Sequence, residues 1–196
     1  MWQWIANNYI EVIGATLALL FLLLEVRQKW TMWVVGVFSS AFYILIFYQA
    51  KVYAQMGLNA YFLLMNAYGF YYWRIAPQKK NKELNTSHIQ PRIALYLVGA
   101  TVVLTLLITW ILKSFTDSEV PFSDALLAAL SIVATWLVAH KVLENWFVWI
   151  FVNTYSVALY YYLEMFPTAV LYAMYASMSV VGYLQWQKTI YKENTR

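Results

Sequence analysis

Seven long apolar stretches, separated by short polar connections, organise the chain. Each is close to the roughly 20 apolar residues that an α-helix needs to cross a bilayer at about 1.5 Å rise per residue. The stretches are continuously apolar rather than alternating, which favours helices over the strands of a membrane barrel. The predicted spans are Tyr9–Val26, Thr31–Gln49, Tyr53–Trp73, Arg92–Leu112, Pro121–Ala139, Trp146–Leu163 and Phe166–Trp186.

One connection is much longer than the others. It runs from Arg74 to Pro91, carries the polar run Gln78–Glu83, and has the composition of a solvated linker. We therefore predict a first three-helix repeat at 1–73, a linker at 74–91, a linker helix at 92–113, a second three-helix repeat at 114–187 and a tail at 188–196.

Composition turns these helices into a membrane prediction. The 196 residues are 63% hydrophobic and 11% charged, whereas soluble domains average about 45–50% apolar and about 25% charged residues. A soluble core of this size cannot bury so much apolar surface, so lipid must solvate part of it. The first stretch, Tyr9–Val26, is too long for a signal-peptide core and is assigned as the first span.

The basic residues are distributed asymmetrically between the connections. With seven spans, one face holds two cations, Lys51 and Lys113, and the other holds eleven. The eleven are Arg27, Lys29, Arg74, Lys79, Lys80, Lys82, Arg92, Lys141, Lys188, Lys192 and Arg196. Because cytoplasmic loops are enriched in Lys and Arg, we expect a multi-pass bacterial inner-membrane protein with its amino-terminus outside and its carboxy-terminus in the cytoplasm. The net charge of +4 then needs no nucleic-acid partner.

An internal repeat is indicated by tryptophans and glycines at matching places in the hydropathy pattern. Trp30–Trp33 aligns with Trp146–Trp149 at an offset of 116 residues, and Gly69–Trp73 aligns with Gly182–Trp186 at 113. Three spans reverse the direction of the chain, and the single helix Arg92–Leu112 restores it. The predicted fold is an all-α membrane protein with seven transmembrane helices in a SWEET-like 3+1+3 arrangement of parallel repeats, with a site between the repeats.

Enzymatic constellations are missing from the sequence. There is no cysteine, no H-E-x-x-H motif and no glycine-rich phosphate loop. His88 is interpreted as a solvated loop side chain, and His140 and Glu144 as interfacial charges at a turn. No ionisable residue lies at the centre of a predicted span, which favours uncoupled passage over ion-coupled transport. We predict no catalytic residue, no metal and no cofactor.

Neutral polar groups among aromatic ones are the candidate chemistry. Asn59 and Asn66 lie two turns apart in the third span, and Trp149, Asn153 and Tyr160 lie on one face of the sixth. Such amides either hydrogen-bond neighbouring helices or line a ligand cavity. Amides and aromatic faces suit a planar, neutral or cationic heteroaromatic ligand, and the lack of buried cations favours a nucleoside over a nucleotide.

The sequence resembles the PnuC family of bacterial vitamin transporters. The resemblance extends from about Tyr9 to Trp186 and is most specific in Glu144–Trp149 with Asn153, and in Tyr68–Trp73. It implies a SWEET-like 3+1+3 fold that carries nicotinamide riboside by facilitated diffusion, with phosphorylation by a cytoplasmic kinase trapping the product. Thiamine is the close second substrate, and riboflavin carriers are also known among such proteins.

The resemblance and the residues together give the predicted substrate-binding set. It consists of Asn59, Asn66, Trp146, Trp149, Asn153 and Tyr160. The expected partners are a cationic heteroaromatic vitamin and membrane lipid, without nucleic acid. A homo-oligomer remains among the assemblies that the sequence allows.

Overall fold

Helices account for all regular secondary structure in the described chain. The structure, a computed structural model, describes residues 9–49, 53–77 and 84–194. Seven α-helices follow in order, and a π-helical turn over Tyr71–Ile75 extends the third. They are α1 Tyr9–Val26, α2 Thr31–Gln49, α3 Tyr53–Phe70, α4 Pro91–Phe115, α5 Pro121–Ala139, α6 Asn145–Tyr162 and α7 Phe166–Asn194. The all-helical prediction is confirmed for these residues.

Helices α1, α2 and α5 have the predicted bounds, and the other four helices differ from the predicted spans at one end or both. Helices α4 and α5 each begin with a proline, at Pro91 and Pro121, because proline has its backbone angle preset and no first-turn N–H to lose. Helix α7 continues beyond Trp186 to Asn194. Hydropathy marks where apolar residues stop, and no glycine or proline follows Trp186 to end the helix.

Two compact units divide the chain, Met1–Leu84 and Asn85–Arg196. In the first, α2 packs against α1 and, most extensively, against α3. In the second, α4, α5, α6 and α7 pack in sequence order. The boundary between the two units lies within the predicted linker at 74–91, whose bounds stay a prediction. The helix predicted as a separate linker, α4, packs against α5 within the second unit.

A tryptophan pair holds α2 against the end of α3 in the first unit. Trp33 is fully buried, and its ring meets that of Trp73 edge-on, with centroids 5.5 Å apart and planes at 83°. The Trp33 ring lies on Gly69, where a Cβ would come within 2.5 Å of ring carbons Cδ2 and Cε2. Glycine is thus required for this close approach of ring to helix.

The same cluster recurs between α6 and α7 in the second unit. Trp146 and Trp186 are fully buried, with centroids 5.6 Å apart and planes at 86°. A Cβ on Gly182 would come within 2.5 Å of ring carbons Cζ2 and Cζ3 of Trp146. A single offset of 113 residues relates the two clusters: Trp146 corresponds to Trp33, Gly182 to Gly69 and Trp186 to Trp73.

The predicted register of the repeat was therefore wrong for the first tryptophan motif. Trp33, not Trp30, is the counterpart of Trp146. Trp30 is 37% exposed and contacts Phe70 and the Arg74 guanidinium instead. Ten tryptophans in the chain allow a coincidental W-x-x-W match, whereas the rings that lie on Gly69 and Gly182 are those of Trp33 and Trp146.

The turns that precede these tryptophans agree with the corrected offset. Gln28 has φ 53° and Lys141 has φ 52°, and these residues are also 113 positions apart. Non-glycine residues seldom adopt the left-handed region. A shared left-handed residue at equivalent places indicates that the same turn leads into α2 and α6.

A short strap precedes α4 and lies against the turn between α5 and α6. We use the term strap for residues 85–90. The Ser87 amide donates to the Lys141 carbonyl at 3.0 Å, and the Leu143 amide donates to the Ser87 carbonyl at 2.9 Å. These bonds form an isolated parallel bridge between Ser87 and Val142.

Glu144 fastens the strap with both carboxylate oxygens. Oε1 lies 2.8 Å from Nδ1 of His88, and Oε2 accepts a 2.9 Å bond from the Ile89 amide. His88 is 64% exposed, as expected for a loop side chain, but it is paired rather than merely solvated. His140 instead directs Nδ1 at the Trp136 carbonyl, 2.8 Å away.

Two of the described helices are long and apolar enough to cross a membrane, α4 and α5. Shorter apolar segments, Thr16–Val26 and Thr31–Ile46, lie within α1 and α2. By this measure the seven predicted spans remain a prediction.

The glycine–tryptophan contact generates a stability prediction. Replacing Gly182 by Ala forces a methyl group into the Trp146 ring and should lower stability by roughly 1–3 kcal/mol. The matched control is Gly99→Ala on α4, because a Cβ there meets nothing within 4 Å, so stability should stay unchanged or rise by up to about 1 kcal/mol, since alanine favours the helix. Thermal unfolding of the purified proteins in detergent compares them. Equal melting temperatures for both variants would contradict the close packing.

Candidate functional site

The polar face of α6 lies inside the second unit. Asn153 and Ser156 are buried, whereas Trp149 and Tyr160 are partly buried. The spacings of four and seven residues between these side chains keep them on one face of the helix. The polar side chains Asn153 and Ser156 therefore face the interior of the second unit.

Asn153 connects α6 to α7. Its Nδ2 donates to the Ser179 hydroxyl at 3.1 Å, and both side chains are buried. The Ser179 hydroxyl donates in turn to the Tyr175 carbonyl at 2.8 Å. Asn153 therefore connects two helices through this hydrogen bond. Its contact with a ligand stays a prediction.

Aromatic rings continue the face toward the carboxyl end of α6. Tyr160 stacks on Tyr172 of α7, with centroids 5.2 Å apart and planes at 17°. Tyr172 meets Tyr175 edge-on at 5.8 Å. The predicted substrate-binding set includes Tyr160 but not its stacking partner Tyr172.

Trp146 is placed differently from the other predicted residues. It is fully buried in the cluster with Gly182 and Trp186, so its ring holds two helices together. Its ring nitrogen Nε1 is buried without a hydrogen-bond partner among the described residues. The W-x-x-W motif thus combines a packing residue, Trp146, with a residue on the polar face, Trp149.

In the first unit, Asn66 makes the corresponding connection between α3 and α2. Its Nδ2 lies 3.2 Å from the Ser40 hydroxyl and 2.8 Å from the Phe62 carbonyl. Its Oδ1 is buried and has no hydrogen-bond partner within the described chain. Asn59 lies two turns earlier on α3 and is partly buried. The predicted residues therefore fall into two separate groups, one in each unit.

The two asparagine–serine pairs are reciprocal. At the offset of 113 residues, Ser40 corresponds to Asn153, and Asn66 corresponds to Ser179. Each pair is buried and joins equivalent helices, α2 with α3 and α6 with α7. The asparagine lies on the second helix of the pair in the first unit and on the first helix of the pair in the second unit. Ser179 was missed by sequence reasoning, although the corrected register points to it directly.

Several buried polar atoms have no hydrogen-bond partner among the described residues, including the ring nitrogens of the packing residues Trp33 and Trp146. Among the described residues, Nε1 of Trp149 and Oδ1 of Asn66 are buried without a partner. The first is a hydrogen-bond donor and the second an acceptor, and leaving such groups unpaired is costly. The described residues contain no cluster of three metal-ligating side chains. The candidate chemistry of these residues is hydrogen bonding and aromatic contact, and their contact with a ligand stays a prediction.

Comparison with known proteins decides the family. The profile of the nicotinamide mononucleotide transporter family matches residues 8–188. The chain belongs to this transporter family. Its members move solutes rather than catalyse reactions.

Relatives of known name support the assignment. The nicotinamide riboside transporter PnuC of Escherichia coli (strain K12) is 24% identical over 213 residues, covering 96% of this chain and 89% of the relative. The riboflavin/roseoflavin transporter RibM of Streptomyces davaonensis is 24% identical over 182 residues, covering 90% and 83%. The crystal structure of the vitamin B3 transporter PnuC is similar with a TM-score of 0.74 and 25% identity, covering 95% of this chain and 84% of that one.

The buried bond between α6 and α7 generates a second stability prediction. Ser179→Ala removes the acceptor of the Asn153 amide and should cost roughly 1–3 kcal/mol, because that amide stays buried and unpaired. Ser177→Ala is the matched control, since Ser177 is exposed on the same helix and bonds only the Ala173 carbonyl of its own turn. Thermal unfolding measures both. A Ser177 variant that loses as much as the Ser179 variant would refute the role of this bond.

Proposed function

We propose that this protein takes up nicotinamide riboside by facilitated diffusion across the bacterial inner membrane. The observation that carries the proposal is the family profile over nearly the whole chain, together with two buried, uncharged amide sites. The membrane lipid is its surrounding partner, the vitamin its substrate, and a cytoplasmic kinase traps the product by phosphorylation.

A riboside fits the described side chains better than its phosphorylated form. No lysine or arginine whose side chain is described is buried, and phosphate recognition normally uses such cations or a helix amino-terminus. The family is named for the mononucleotide, yet the residues in this chain offer neutral hydrogen-bonding groups. We therefore assign the unphosphorylated compound as the substrate.

The aromatic side chains suit the positive charge of the nicotinamide ring. A cation over a tryptophan or tyrosine face gains about 0.5–2 kcal/mol, and more when water is excluded. Trp149 is assigned the wall of the site and Asn153 a hydrogen bond to a ribose hydroxyl or to the ligand's amide. Tyr160, Asn59 and Asn66 complete the proposed contacts, and Trp146 supports Trp149 from the same helix.

A second vitamin is the alternative substrate. The riboflavin/roseoflavin transporter is related over 90% of this chain, and riboflavin is also a planar heteroaromatic with hydroxyl groups. Thiamine, a cationic heteroaromatic, remains the other candidate from the sequence. Competition of each vitamin with labelled nicotinamide riboside ranks the three.

The proposed topology follows from the eleven-to-two distribution of cations. All seven helices cross the membrane as two parallel three-helix repeats joined by α4, in the SWEET-like arrangement. Reporter fusions after residue 84 and at the carboxy-terminus should both report the cytoplasm. A periplasmic signal from either fusion would overturn the orientation.

Transport is proposed to be uncoupled from ion gradients. Of the charged side chains that the structure describes, only that of Glu25 is buried, and it lies at the end of α1. Proteoliposomes without a kinase should therefore equilibrate nicotinamide riboside saturably and should ignore collapse of the proton gradient. Accumulation above the external concentration would refute the uncoupled mechanism and direct attention to Glu25.

Two variants separate ligand contact from helix connection in the same assay. Asn153→Leu removes the amide and the bond to Ser179, whereas Ser179→Ala removes the bond alone. If Asn153 contacts substrate, the leucine variant should lose affinity by roughly 1–3 kcal/mol, and the alanine variant should largely keep it. Equal affinities for the two variants would show that Asn153 only connects helices.

A further inference from the structure

A carboxylate and a pair of tyrosines meet at the end of the second unit where α5 begins. We call Asp124, Tyr160 and Tyr172 the outer cluster, because the proposed topology places this end outside the cell. Tyr160 of α6 stacks on Tyr172 of α7, and the two side chains are hydrogen-bonded. Asp124 of α5 interacts electrostatically with Tyr160. Each of the three residues is only partly buried, so the cluster keeps accessible surface.

Neighbouring hydrogen bonds hold Asp124 in this place. The Ser123 hydroxyl lies 2.9 Å from the Tyr155 hydroxyl and fixes the first turn of α5 against α6. Tyr160 lies five residues beyond Tyr155, or about 7.5 Å along the helix toward the same end of the unit. The Ser118 hydroxyl donates to Oδ2 of Asp124 at 2.7 Å. A carboxylate can accept about four hydrogen bonds, so this one leaves acceptor capacity for a ligand.

The negative charge of Asp124 has no cationic partner in the part of the chain that the structure describes. No described lysine, arginine or histidine forms an ion pair with it. A partly buried carboxylate is more stable beside a cation than alone. Tyrosine faces attract cations as well, through the quadrupole of the ring. The outer cluster therefore offers the two kinds of group that recognise a flat, positively charged molecule.

The internal repeat carries an acidic residue at the equivalent position of the first unit. At the offset of 113 residues, Asp124 corresponds to Glu11, and both lie near the beginning of their helices, α5 and α1. In the proposed topology their face holds five acidic residues against the two cations Lys51 and Lys113. The five are Glu11, Asp117, Glu119, Asp124 and Glu164. A face with net negative charge raises the local concentration of cations before they bind.

We propose that the outer cluster is a cation-binding subsite, which selects a positively charged vitamin over a neutral one. This inference rests on the proposed function, because it assumes that the substrate is a heteroaromatic vitamin. A carboxylate in the first turn also stabilises its own helix, but that effect does not depend on the charge of a ligand. Selectivity for charge therefore separates the two roles of Asp124.

The test compares two ligands of nearly the same shape and different charge. Nicotinamide riboside carries a positive pyridinium ring, and its dihydro form, reduced by one hydride, carries a neutral ring. Calorimetry measures the binding of each to purified protein. Asp124→Asn keeps the shape of the side chain and removes its charge, and Tyr172→Leu removes a ring. Asp117→Asn is the matched control, because Asp117 is an exposed acid in the connection that leads into α5.

The wild type should bind the cationic form about tenfold more tightly than the neutral form, because only the cation gains from the carboxylate. Asp124→Asn should remove most of this preference by weakening binding of the cationic form alone. Tyr172→Leu should weaken the cationic form by about threefold to tenfold. Asp117→Asn should keep the preference within about twofold of the wild type, because an exposed charge is screened by solvent.

Each contrary outcome overturns a defined statement. A wild type that binds both forms equally would overturn the subsite and leave the proposed function standing, whether or not the variants fold. Equal losses for both forms in Asp124→Asn would overturn it too, because the carboxylate would then only stabilise its helix. A loss of preference in Asp117→Asn as large as in Asp124→Asn would replace the subsite by diffuse surface charge. A wild type that binds neither form would overturn the proposed function and this inference with it.

Discussion

The close contact between a tryptophan ring and a helical glycine sets the geometry of both units. Trp33 on Gly69 and Trp146 on Gly182 fix the distance and register of the helix pair behind each buried amide. The serine–asparagine bond then follows seven residues after the tryptophan on one helix and three before the glycine on the other. Antiparallel helices carry both positions in the same direction from the contact. The hydrogen bond needs this contact, because a shift of one residue would turn either side chain to another face.

The equivalence of the two units lies in their packing contacts rather than in the chemistry at each position. Tryptophan, glycine and tryptophan are repeated unchanged, but serine and asparagine exchange helices, and glycine stands where the other unit has tryptophan. The hydrogen bond survives the exchange of serine and asparagine, because each pair keeps one amide and one hydroxyl. The two units therefore combine a common scaffold with different polar groups.

Sequence reasoning found the seven helices, because long apolar runs determine helix position strongly. It also found the polar face of α6 from four-residue spacing. It missed the register of the repeat, because Trp30 and Trp33 are identical residue types and only burial tells them apart. It missed Ser179 for a related reason: a serine in an apolar helix carries no signal until its hydrogen-bond partner is known. Hydropathy did not predict the continuation of α7 past Trp186, because it detects apolar residues and not the end of a helix.

The strap gives the second unit a mechanical property. Its attachment through Ser87 and Glu144 ties the segment before α4 to the turn that opens α6. A force applied to the chain at residue 84 therefore acts first on the Ser87–Val142 bridge and on the hydrogen bonds of Glu144. It acts on α4 only after these bonds break. Displacement of the connecting segment is in this way transmitted to the first turn of α6, one residue from Asn145 and two from Trp146.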